Sequence, residues 1–327
     1  MRVRTLGAGG LEVSAIGLGC MGMSQGYGPA DERESLATLH AALDAGVTLL
    51  DTAMSYGAGA NERLLSRVLA TRGDEVVLAT KFGIARGPDG VHVDARPERV
   101  RSFLESSLSR LGVDHVDLCY LHRVDPAVPI EETVGAMGEL VTEGKVGHLG
   151  VSETTVAELE RAAAVHRVAA LQIEWSLAWR ECEDELIPAA RRLGVGIVPY
   201  SPLGRGLLTG RLTGSTAADA GMRSRDPRFA GPALERNLEL VQAIAAIARE
   251  HHVTSPQLAL AWLLAQGEDV VPIPGTKRPG RLAENVAATE IMLSPSDLGR
   301  LEAAVPRQAW AGDRFSFAAP DTQRSTQ

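Results

Sequence analysis

The chain has 327 residues and a formal net charge of −8. At about 150 residues per domain that length fits two domains, yet one α/β barrel can absorb roughly 250 residues or more. With 45% hydrophobic and 23% charged residues, wholesale disorder is excluded, and the acidic balance argues against nucleic acid as the main partner.

The first residues, MRVRTLGAGGLEV, lack an apolar core of the kind a signal peptide needs. Residues 1–14 place GAGG between short apolar stretches and predict a hairpin. No run of about 18 apolar residues follows, so no membrane span is expected. Short apolar runs then recur at 15–18, 47–50, 76–79, 116–121, 147–151, 169–173, 195–199 and 270–273. They are bounded by glycine or polar residues and do not alternate, which is how strands buried on both faces read. Between them lie helical patterns. In Pro97–Leu111 the apolar residues Val100, Phe103, Leu104, Leu108 and Leu111 follow helical spacing, with Pro97 at the first turn. Ser255-Pro256 and Ser294-Pro295 read as cap-plus-proline pairs opening two late helices, the second an extra C-terminal one. Residues 203–232 predict a long loop, and 311–327 a surface tail on a barrel domain spanning 1–327.

Eight strands alternating with helices predict a parallel sheet. Eight such units suggest a closed (β/α)8 TIM barrel, with an open doubly wound sheet as the alternative. Gly17-Leu18-Gly19-Cys20-Met21-Gly22 spells a dinucleotide fingerprint, but Gly26, Gly28 and Pro29 prevent a helix from opening on it. That segment is expected instead to floor a pocket after the first strand. Cys20, Cys119 and Cys182 are odd in number and far apart, so neither a disulfide framework nor a metal site is suggested. Cys119 reads as core, and the expected compartment is a reducing cytoplasm.

In a parallel barrel the chemistry sits where the strands end. Those ends carry Asp51 through Gly57, Lys81, His122-Arg123, Ser152-Glu153, Glu174-Trp175 and Tyr200-Ser201, with Gln172 inside its run. Only three lysines occur, Lys81, Lys145 and Lys277, so each asks whether arginine would fail there. An ammonium beside a tyrosine favours phenolate, an aspartate orients the ammonium, and a histidine can hydrogen-bond a carbonyl oxygen. Together they suit carbonyl reduction. No side chain supplies a hydride, so a nicotinamide or flavin is implied.

DTAMSYG, ATKFG, DLCYLHRVDP, GHLGVSE, LQIEWSL, PYSPLGRGLLTG and IPGTKRPGRLAENV, in this order, resemble the aldo-keto reductase family over roughly residues 3 to 305. The resemblance implies a (β/α)8 barrel that binds NADP(H) and reduces aldehydes and ketones. It places a catalytic tetrad on Asp51, Tyr56, Lys81 and His122, with Tyr56 as general acid. It puts Ser152 and Gln172 on the nicotinamide carboxamide, Tyr200 against the ring, and Ser201, Leu203, Arg205 and Gly206 beside the pyrophosphate. Thr276, Lys277 and Arg281 then meet the 2′-phosphate, with Glu284 and Asn285 near the adenine; a basic cluster there favours NADP(H) over NAD(H). Tyr27, Trp175 and Trp179 are pocket-wall candidates. Glu153 departs from a common asparagine, and Trp175 from a common tyrosine. The partner implied is a small-molecule carbonyl, and an oligomer is allowed. A redox-sensing module like potassium-channel β subunits is the alternative, and an isomerase or lyase without hydride transfer a third.

Overall fold

The computed structural model describes residues 1–87, 90–212 and 221–318. β1 (Val3–Leu6) and β2 (Leu11–Ser14) pair antiparallel as the expected hairpin. Seven further strands lie parallel: β3 (Leu18–Gly19), β4 (Leu49–Asp51), β5 (Val77–Phe82), β8 (Val116–Leu121), β9 (Val146–Ser152), β10 (Val168–Glu174) and β11 (Gly196–Tyr200). Their spatial order is β11-β10-β9-β8-β5-β4-β3. Between β5 and β8 a second antiparallel pair, β6 (Ile84–Gly87) and β7 (Gly90–Val93), stands at the C-terminal rim.

The gap between β11 and β3 is closed by residues 270–275, where the sequence predicts an eighth strand. The stretch runs parallel to both edges but bonds sparsely. Val271 and Ile273 donate to Ile197 and Pro199, while the carbonyls of Pro272 and Pro274 accept from Gly17 and Gly19. The two prolines have no N–H to return toward β3, so the ladder is only half made on that side. Gly17 and Gly19 also have a packing reason. A Cβ on Gly17 would come within 2.9 Å of Ile273, and one on Gly19 within 2.8 Å of its carbonyl. The glycine pattern that imitates a dinucleotide fingerprint therefore lets the first and last staves approach.

Side chains fill the barrel interior. Leu6, Leu11 and Val13 of the hairpin pack with Leu49, Ala79, Leu118, Tyr120, Ala170 and Val198, closing the N-terminal mouth. Buried Arg4 ties the hairpin to the carbonyls of Leu264 and Gly267, each at 2.9 Å. The outer layer is helical. Pro97–Leu111 begins with Pro97 at its first turn, buries Val100, Phe103, Leu104, Leu108 and Leu111, and stops at Gly112 in the left-handed region. Burying each such side chain contributes about 1.5–3 kcal/mol. The helix Ser255–Leu264 is capped one residue earlier than its sequence suggested. Thr254 accepts from Gln257, and the proline sits second. Pro295–Ala304 is capped by Ser294 as expected and forms the extra C-terminal helix. Among the described residues no helix is long and apolar enough to cross a membrane.

The stretch expected as a surface tail differs in its first part. Residues 311–318 fold back over the strand ends, and Arg314 is buried there; residues 319–327 lie outside the described residues. Residues 213–220 of the expected 203–232 loop also lie outside them, and the remainder forms short 3-10 turns before the helix Gly231–Glu250.

Candidate active site

At the C-terminal end of the strands opens a cavity of about 740 Å³. Lys81, at 0% exposure, lies beneath it near the end of β5. Its ammonium donates to an Asp51 carboxylate oxygen, to the Thr52 carbonyl at 2.8 Å and to the Tyr56 hydroxyl at 3.4 Å. It also sits 5.1 Å from the Tyr56 ring centroid. Burial pulls this ammonium down, but Asp51 and Tyr56 outweigh it and the net direction is upward, so it stays charged.

Tyr56 is presented by a turn in which Gly57, Ala58 and Gly59 have φ of 57°, 53° and 83°. Glycine tolerates these values; Ala58 holds one at a cost of order 1 kcal/mol. Hydrogen bonds hold the turn in place. Asn61 donates to the Cys20 carbonyl and Ser24 Oγ and accepts from Thr52, and Gln25 accepts from the Gly57 amide. Burial raises the Tyr56 hydroxyl, and the opposing pull of Lys81 does not overcome it. The lowering expected from Lys81 alone is thus outweighed, and Tyr56 is a protonated phenol at neutral pH.

His122 meets the Tyr56 ring edge-on, with centroids 5.9 Å apart. Burial first, then Arg123 and Lys81, hold its imidazole well below the usual value, so it is uncharged. Its Nδ1 has no hydrogen-bond partner among the described residues. The four residues expected to act together are therefore gathered at one point.

The expected nucleotide positions line the same cavity: Ser152, Gln172, Tyr200, Ser201, Leu203, Arg205, Gly206, Thr276, Lys277, Arg281, Glu284 and Asn285, with Tyr27 on the wall. Several already have partners. Gln172 donates to the second Asp51 oxygen at 2.7 Å, and Ser152 Oγ accepts from Arg123. Lys277 reaches across the cleft to the carbonyls of Tyr27, Gly28 and Pro29, a clasp that the sequence did not announce. Arg205, with a 2% exposed side chain, leaves Nε and Nη1 without a hydrogen bond. Nε lies 3.4 Å from an Asp226 carboxylate oxygen, which leaves Nη1 as the buried donor fit to meet a phosphate oxygen.

Trp175 and Trp179 are corrections, because neither reaches the cavity. Along β10 the side chains of Gln172 and Glu174 point inward, so Trp175 has the opposite parity. It packs edge-on against Trp262 and donates to Glu183. Trp179 lies between the guanidinium groups of Arg228 and Arg314, at 5.8 and 5.4 Å.

The structure adds partners that the sequence did not single out. Glu153, at 1% exposure, accepts from Arg314 twice and from the Tyr200 hydroxyl at 2.8 Å. It thus pairs within the fold, and its Oε1 also accepts from the Glu174 backbone amide at 3.3 Å. Glu174, Arg228, Asp226 and Arg205 form a second buried charge network. A strand-end acid needing a buried cation was the available clue to Arg314; nothing in the local pattern named it. Lys145 pairs on the surface with Glu105 and Glu143.

Residues 15–306 match the model of the aldo/keto reductase family. A probable aldo-keto reductase 1 of Glycine max is 45% identical over 313 residues, covering 95% of this chain and 90% of its relative. Among solved structures, a glycerol dehydrogenase from Gluconobacter oxydans superposes with a TM-score of 0.85 at 28% identity, over 96% of this chain and 98% of that one. An aldo-keto reductase from Bacillus halodurans in its holo form gives 0.79 at 26%, over 94% and 97%. A thermostable aldo-keto reductase solved with the inhibitor epalrestat gives 0.75 at 30%, over 93% and 100%.

Proposed function

The chain belongs to the aldo/keto reductase family and is an oxidoreductase of carbonyl compounds; from that premise we propose that it reduces aldehydes or ketones with NADPH, Tyr56 giving the proton. The observation that carries this reading is the buried Lys81 ammonium, shared between Asp51 and the Tyr56 hydroxyl, beside an uncharged His122.

When bound, NADPH supplies a hydride to the carbonyl carbon. The chain's own part is to hold the carbonyl and move one proton. Tyr56 donates from its hydroxyl to the carbonyl oxygen. As it does so its oxygen gains negative charge, and the Lys81 ammonium is already in place to stabilise that charge. This interaction is stronger in the transition state than in the ground state, which is the condition for raising kcat. Asp51 keeps the ammonium charged and, through its second oxygen, fixes Gln172. His122, being neutral, serves as a hydrogen-bonding partner for the carbonyl and does not compete as an acid.

The residues that would hold the nucleotide fit it. Tyr200 offers an aromatic face at the end of β11, and Ser152 and Gln172 offer polar groups for a carboxamide. Arg205 brings a buried guanidinium whose Nη1 makes no hydrogen bond in the fold, a donor for the pyrophosphate. Arg281 is lowered by burial and by its cationic neighbours Arg211 and Arg278; such crowding of like charges is relieved by a phosphate dianion, which supports NADPH over NADH. The test follows NADPH absorbance with an aldehyde panel, repeated with NADH and with Tyr56→Phe. Full activity in that variant removes the assigned proton donor.

A further inference from the structure

One cation in the cavity is not used by the carbonyl chemistry above. Arg123 follows His122 at the end of β8, is 6% exposed, and lines the cavity beside Tyr56 and Ser152. Among the described residues all its hydrogen bonds go to neutral acceptors. Nη1 donates to the His122 carbonyl at 2.6 Å and to Ser152 Oγ at 3.2 Å. Nε donates to the Phe317 carbonyl at 2.7 Å, and Nη2 to Ser316 Oγ at 3.0 Å. Nearby acids are already held. Glu153, whose carboxylate feels the Arg123 charge, is paired with Arg314. The acids lining the cavity are Asp51 and Glu284, paired with Lys81 and Arg211.

A buried charge without a counter-ion is costly, and a fold that keeps one gains from it only when an anion arrives. The guanidinium has two faces here. Nη1 is committed to the barrel wall. The Nε–Nη2 edge presents two parallel donors, the geometry that a carboxylate meets bidentately. In this structure that edge holds two separate acceptors from the C-terminal segment, and Phe317, which supplies one of them, is 39% exposed.

We propose that Arg123 is the receptor for a carboxylate on the substrate, so that the substrate class is an oxo acid whose carboxylate replaces Ser316 and Phe317 on the Nε–Nη2 edge while its carbonyl lies at Tyr56. The proposal rests on the reductase reading and deepens it. Arg123 follows His122 directly in the chain and lines the same cavity as His122 and Tyr56, so the carboxylate and the carbonyl are joined by a short carbon spacer. The reaction is unchanged in kind: the carbonyl carbon takes a hydride from NADPH, which is oxidised, its oxygen takes the Tyr56 proton, and a hydroxy acid results.

The test compares 4-oxobutanoate with its uncharged amide, 4-oxobutanamide, in wild type, Arg123→Met and Arg123→Lys. Wild type is expected to favour the carboxylate at least tenfold in kcat/KM. Arg123→Met is expected to cut that ratio at least tenfold, chiefly through KM, and Arg123→Lys to restore part of it. A wild-type ratio of one or below overturns the proposal. So does an Arg123→Met variant that slows both compounds by the same factor, which would assign Arg123 to the nucleotide or the fold. Butyrate and butyramide as competitive inhibitors of wild type give a measure independent of any variant, and equal inhibition by the two also overturns it. If neither aldehyde is turned over, the reductase reading fails on its own. Calorimetric titration of butyrate into wild type then decides the anion site, with binding supporting it and no binding overturning it.

Discussion

Glu153 and Arg314, 161 residues apart in the chain, meet through two parallel hydrogen bonds of 2.6 and 2.5 Å. The carboxylate is fully buried and the guanidinium 4% exposed. Glu153 follows β9 directly with φ of 56°, so the turn itself aims the carboxylate across the strand ends. The same carboxylate accepts from the Tyr200 hydroxyl. One ion pair thus fastens the C-terminal segment to the barrel and fixes the aromatic at the end of β11.

Arg314→Met leaves Glu153 buried and unpaired. Breaking a buried pair from one side costs about 3–5 kcal/mol, whereas removing both charges costs much less. Denaturant unfolding is expected to show that loss in Arg314→Met and recovery of most of it in the double variant with Glu153→Gln. A single-variant loss below about 1 kcal/mol would mean the pair is not closed in solution.

Much of this arrangement is readable before folding. Apolar runs locate the strands, and the residues that end them assemble the Asp51, Tyr56, Lys81 and His122 group, because a parallel barrel puts every strand's C-terminal end on one face. Other features escape for identifiable reasons. The eighth stave is half-bonded because Pro272 and Pro274 lack donors, which an apolar-run reading does not weigh. Trp175 is one residue out of phase with the inward positions of β10. Thr254 and Ser255 are both cap residues by type, serine the better one, and only the backbone assigns the cap to Thr254. Arg314 meets its partner through tertiary folding alone, where no periodicity reaches.

Tyr56→Phe keeps the ring and removes the proton. Loss of general acid catalysis is worth about 100- to 10,000-fold. Steady-state kinetics on an aldehyde with NADPH are expected to show kcat falling by at least 100-fold while NADPH affinity, followed by fluorescence titration, is retained. A fall below tenfold would pass the proton to another group.

The pH dependence of reduction follows from two directions. Tyr56 is raised, so it keeps its proton across neutral pH. His122 is lowered, so it stays uncharged as pH falls through the ordinary histidine value of 6.5. The profile of kcat is therefore expected to be level between about pH 6 and 8. An inflection near 6.5 that vanishes in His122→Asn would show that the imidazole titrates there after all.

Arg281→Ala separates the two nucleotides. A charge-assisted hydrogen bond to phosphate is worth about 1.5–3 kcal/mol, so kcat/KM with NADPH is expected to fall roughly 10- to 150-fold while that with NADH changes little. Lys277→Ala is a less direct probe, since it also releases the clasp on the carbonyls of Tyr27, Gly28 and Pro29. Equal losses with both nucleotides in Arg281→Ala would place the 2′-phosphate elsewhere.

Acid stability tests the second buried network. Burial alone would raise the Glu174 carboxyl, but Arg228 and Arg205 outweigh it and hold the group down, from 4.5 to about 2. A carboxyl held below its unfolded value contributes stability that is present above about pH 4.5 and is lost as pH falls toward 2. That contribution is on the order of 3 kcal/mol, of which about 2 kcal/mol is gone by pH 3. Guanidinium unfolding at pH 7, 5, 4 and 3 is expected to show little change between the first two and a progressive loss below. Glu174→Gln is less stable at pH 7, because Arg228 and Arg205 keep only Asp226 as an acidic partner, yet its stability is expected to fall less steeply below pH 5. An identical slope in wild type and variant would show that other carboxylates carry the acid response.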